Sequence, residues 1–77
     1  MNASAKEWVS AFARELGVDE PSDEEITAIL ALAGSAAHSS ERTAAPLACW
    51  LAAKAGLSAD EAVEAARRLV VPGPEAE

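Results

Sequence analysis

Apolar and polar residues recur along this chain at helical spacing. Trp8, Phe12 and Leu16 stand four residues apart with Val9 beside them, which places them on one face of a helix from about Ala5 to Leu16. Ile26, Ile29, Leu30, Ala33 and Ala37 form the stripe of a second helix, from about Asp23 to Ala37. Leu47, Trp50 and Leu51 are the large core candidates of a third, from about Ala44 to Ala55. Ala62, Val63, Ala66, Leu69 and Val70 line a fourth, from about Ala59 to Val70.

The helix ends are written in side-chain chemistry. Ser4–Glu7, Ser22–Glu25 and Ser58–Glu61 each have capping-box spacing, in which a hydroxyl accepts from the third helical amide and the acid reaches back to the cap amide. Gly17 and Gly56 read as stops. Thr43 reads as the third cap, because Pro46 then falls in the first turn, where its missing N–H costs nothing. With Ser40 as the cap, Pro46 would instead break a helical hydrogen bond. Gly34 lies inside the second helix at a cost of about 1 kcal/mol relative to alanine, which points to a close helix crossing. Few β-branched residues, no Tyr and abundant alanine favour the same assignment. With short connections between helices, the expected fold is all-α: a compact four-helix bundle or orthogonal array forming one domain over residues 1–71. Residues 72–77, with Pro72, Gly73 and Pro74, are expected to form a frayed tail.

The chain has 77 residues. At this size only roughly 60–65% of the unfolded surface is buried, so a ligand site must be a surface groove or be shared with a partner. Pairing into a homodimer would enlarge so small a core. The formal charge is −7, which disfavours nucleic acid and anionic membranes as partners. The longest apolar run, Thr43–Ala55, contains Pro46 and Lys54 and falls short of the ~20 residues of a membrane span. The first residues lack the basic and apolar regions of a secretory signal. Cys49 is the single cysteine, so internal disulfides and cysteine zinc clusters are ruled out. It reads as a small hydrophobe in an apolar run, or alternatively as a reactive thiol; a lone reduced cysteine suits the cytoplasm.

Acids open the first, second and fourth helices and bases close them, as the helix dipole favours. The third helix has no acid in its first turn, and His38 and Arg42 lie just before it. His38, Ser39, Ser40, Arg42 and Thr43, with free amides of that helix end, form a candidate site for a phosphate or carboxylate. The structural alternative is that His38 caps the second helix and Arg42 pairs with Glu41 or a distant acid. A lone histidine, no phosphate loop and no nucleophile motif give no catalytic residue, metal site or cofactor site to propose. Trp50 has a second reading besides core: a small bundle cannot easily bury two indoles, so Trp50 is the candidate anchor for a protein partner.

The stretch Ala37-His38-Ser39-Ser40-Glu41-Arg42-Thr43-Ala44-Ala45-Pro46-Leu47 resembles the signature "A-H-x-x-x-R-x-A-A-P-L". It belongs to an actinobacterial-type family of short helical domains of unknown function, which also begins with a Trp-containing helix and an "E-L-G-V/L-D" turn. Trp8 and Glu15-Leu16-Gly17-Val18-Asp19 match those features. Proteins of this kind are often labelled molybdopterin-guanine dinucleotide biosynthesis proteins. The chain lacks the nucleotide-binding loop of the molybdenum cofactor guanylyltransferase. The resemblance therefore implies an accessory role, with that enzyme as partner.

Overall fold

Three serine hydroxyls start three of the four helices. The computed structural model describes residues 4–69, which form α1 (Ala5–Leu16), α2 (Asp23–Ser39), α3 (Ala44–Lys54) and α4 (Ala59–Arg68), with no strand among them. Val70 and the expected tail lie outside the described residues. Ser4, Ser22 and Ser58 accept from the amides of Glu7, Glu25 and Glu61, each at 3.1 Å. The same glutamates accept the serine amides at 2.9, 2.8 and 2.8 Å, completing three capping boxes. Gly17 (φ 74°) and Gly56 (φ 77°) end α1 and α3 in the left-handed region. There Val18 N–H donates to the Ala13 carbonyl at 3.0 Å and Leu57 N–H to that of Ala52 at 3.1 Å.

Thr43 holds the cap position of α3 but does not cap it. Its backbone is already helical (φ −67°, ψ −17°), and its side chain makes no capping hydrogen bond. A cap hydroxyl reaches the first-turn amides from an extended backbone, which Ser4, Ser22 and Ser58 have and Thr43 lacks. Replacing Ser58 by alanine is therefore expected to cost about 1 kcal/mol in urea unfolding followed by ellipticity, whereas Thr43→Ala should stay within a few tenths.

The core lies along α2, which packs against both α3 and α4, while no other pair of helices makes more than marginal contact. Among the described residues, Ala13, Ala28, Leu32 and Ala62 are the buried hydrophobic ones. This corrects the expected helix faces in two places. On α2 the buried face carries Ala28 and Leu32, and Leu30 points into solvent. On α3 the half-buried residues are Ala44, Ala45, Ala48, Cys49 and Ala52, whereas Leu47, Trp50 and Leu51 are 64%, 61% and 59% exposed. The physical reason is steric. Small side chains on α3 bring its axis close to α2, and a face of Leu and Trp would hold it away. α4 follows expectation, with Ala62 buried and Val63 and Ala66 half-buried, except that Leu69 lies beyond the helix and is exposed. Gly34 marks no close crossing, since a Cβ built there meets nothing within 4 Å.

α1 is joined to the rest chiefly by polar contacts. Lys6 Nζ lies 3.0 Å from Asp23 Oδ1, and the Ser10 hydroxyl donates to Glu20 Oε1. The hydrogen bond to Asp23, and then its charge, raise the pKa of Lys6 above its ordinary 10.5. This tether is complete below the unfolded-state value and is lost as pH rises through the higher folded-state value. The aromatic stripe turns outward: Trp8 and Phe12 stack with centroids 5.0 Å apart and are 58% and 46% exposed.

Candidate functional site

The α2–α3 connection carries the five residues singled out for anion binding. α2 runs two residues further than its pattern predicts, so His38 and Ser39 sit in its last turn. Ser40 follows as the cap (φ −138°, ψ −104°), with its N–H donating to the Ala36 carbonyl at 3.0 Å. Ala44 N–H then donates to the Glu41 carbonyl at 2.9 Å, and Ala45 N–H to that of Arg42 at 3.1 Å. The third helical position is Pro46, which has no N–H. The first three positions of α3 therefore offer no free amide to an anion.

His38, Ser39, Ser40, Arg42 and Thr43 are all exposed along this connection. Neither structural alternative forms among the described residues: Arg42 makes no ion pair with Glu41, and His38 donates to no α2 carbonyl. Ser39 lines an open cleft of about 430 Å³ shared with Leu32, Ala36, Ala48, Ala66 and Leu69. Its wall is mostly apolar, with Ser35 its other hydroxyl.

The outer face of α3 has a different character. Leu47, Trp50, Leu51 and Lys54 follow the i, i+3, i+4, i+7 spacing that places them together on one side of the helix. Lys54 Nζ sits 4.9 Å from the Trp50 ring centroid, a cation–π contact of about 0.5–1 kcal/mol at an exposed site. That contact orients the indole while leaving it open to a partner. The signal for this face lay in the sequence on the opposite side of the helix, where Ala45, Ala48 and Ala52 repeat at the same spacing.

Cys49 belongs to the inward face. It is free and half-buried, and lines a second cleft of about 230 Å³ with Ile29, Leu32, Ala52, Leu57 and Ala62. Among the described residues no group of three or more His, Cys, Asp or Glu is arranged to hold a metal ion. No helix among them is long and apolar enough to cross a membrane.

A family described as Domain of unknown function (DUF6457) matches residues 1–76. No curated protein and no solved structure matches the chain.

Proposed function

This chain belongs to the family described as Domain of unknown function (DUF6457), and on that premise we propose that it is a non-catalytic accessory domain that docks to a partner protein through the outer face of α3. The observation that carries the reading is the outward placement of Leu47, Trp50 and Leu51 on a helix whose alanines face the core. Contiguous apolar side chains left in water are a standing cost that a partner removes, and tryptophan is among the residues enriched as anchors at such interfaces. Lys54 adds a cation at the edge of the patch, suited to a partner whose apolar groove is rimmed by an acid.

The likeness of the His38–Leu47 stretch to proteins labelled for molybdopterin-guanine dinucleotide biosynthesis makes the molybdenum cofactor guanylyltransferase the partner to test first, in the cytoplasm. Calorimetric titration of the two proteins is expected to give a Kd in the micromolar range or tighter. Trp50→Ala should weaken it by about thirtyfold, the size of an anchor residue's contribution of 2 kcal/mol. Because Trp50 is exposed, the same substitution should leave the melting temperature within a few degrees of the parent. No heat at tens of micromolar of either protein would refute this choice of partner.

A further inference from the structure

We propose that two copies of this chain pair through α1, and that the pairing covers the apolar side of that helix. On α1 the residues Ala5, Val9, Phe12 and Leu16 follow one another at steps of four, three and four, the spacing of a coiled-coil seam. All four are exposed, and Trp8 extends the seam through its stack on Phe12. The neighbouring side of the same helix carries Lys6, Ser10 and Ala13. Lys6 and Ser10 make the polar contacts to Asp23 and Glu20, and Ala13 is buried. α1 is thus anchored by one side while its apolar side is left without cover.

Two observations select a second copy as the cover. First, α1 has 12 residues, a length at which an isolated helix is marginal in water. Among the described residues no large side chain is fully buried, so the core available to hold α1 is small. A cover for its apolar side must be present wherever the chain is, and a second copy always is. Second, the area is sufficient. With aromatic side chains at about 200 Å² each and the aliphatic ones somewhat smaller, the exposed stripe together with Val18 offers on the order of 500 Å² per copy. A symmetric pair would bury about 1,000 Å², the lower limit of a specific interface, which fits a micromolar dimer.

The seam itself bears no charge, so the net −7 of each copy lies outside the contact. The copies repel at long range, and salt screens that repulsion over about 8 Å at physiological ionic strength. Association is therefore expected to strengthen with salt, the reverse of a contact built on ion pairs.

Sedimentation of the full chain from about 1 to 200 μM tests this. The expected result is a mass rising to twice 7.9 kDa, with the midpoint moving to lower concentration between 20 and 300 mM NaCl. Dilution should also lower the 222 nm ellipticity by up to about a quarter, the share of α1 in the described helices. Phe12→Glu should be monomeric throughout, and Leu47→Glu, on the α3 face, should still dimerise. A parent chain that stays monomeric at 200 μM overturns the proposal and leaves the stripe to a different protein. Dimerisation lost in Leu47→Glu but kept in Phe12→Glu overturns it equally, by placing the pairing on α3. Neither outcome depends on whether α3 binds the guanylyltransferase.

Discussion

Replacing Leu32 by alanine is expected to remove about half or more of the stability of the domain. Leu32 is the one large side chain in the buried set, and it lines both clefts, so it touches the space between α2 and each of α3 and α4. A buried Leu→Ala change costs about 2–5 kcal/mol, part from lost transfer energy and part from the cavity left behind. A domain this small holds about 5 kcal/mol or less. Since 1 kcal/mol moves the midpoint of such a domain by about 4–8 °C, the melt should fall by about 8–40 °C. Leu30→Ala, two residues away and exposed, should change stability by no more than about 0.5 kcal/mol. Paired thermal melts at one protein concentration separate the two. Equal losses would mean that α2 buries the other face.

Two glycines should respond to alanine in opposite directions. Gly56 closes α3 at φ 77°, where an L-residue is strained whatever the space around it. Gly56→Ala is expected to destabilise by about 1–2 kcal/mol. Gly34 sits in the interior of α2 with nothing within 4 Å of an added Cβ. Gly34→Ala should therefore stabilise by about 0.5–1 kcal/mol, because it restricts the unfolded chain and improves helix propensity at no steric cost. Chemical denaturation of both variants reads the signs directly. A destabilised Gly34→Ala would place another helix against that position.

What the sequence made legible was local. The three Ser-x-x-Glu boxes and the stop at Gly17 depend on atoms three to five residues apart, and all appear where the pattern placed them. The choice of buried face did not follow from such short-range rules. α3 has one side of Leu and Trp and another of Ala, and hydrophobicity alone sends the larger side inward. Close approach to α2 favours the smaller side instead, and that is a property of the pair of helices. On α2, leucines at 30 and 32 point in different directions, and a helix apolar on most of its circumference does not reveal which faces its neighbours. The position of the His38–Thr43 connection was legible for the same reason as the caps. The state of the first α3 amides was not, because the acceptors that occupy those of Ala44 and Ala45 are the carbonyls of Glu41 and Arg42, which residue identity does not disclose.

The central place of α2 bears on how the molecule comes apart. With α3 and α4 each packed on α2, and little direct contact between those two, each can detach while its counterpart stays seated. Opening then proceeds in separate segments of differing free energy, with α2 as the last to lose its hydrogen bonds. Leu32, facing both clefts, is the hinge-pin through which departure of one helix loosens the grip on the other.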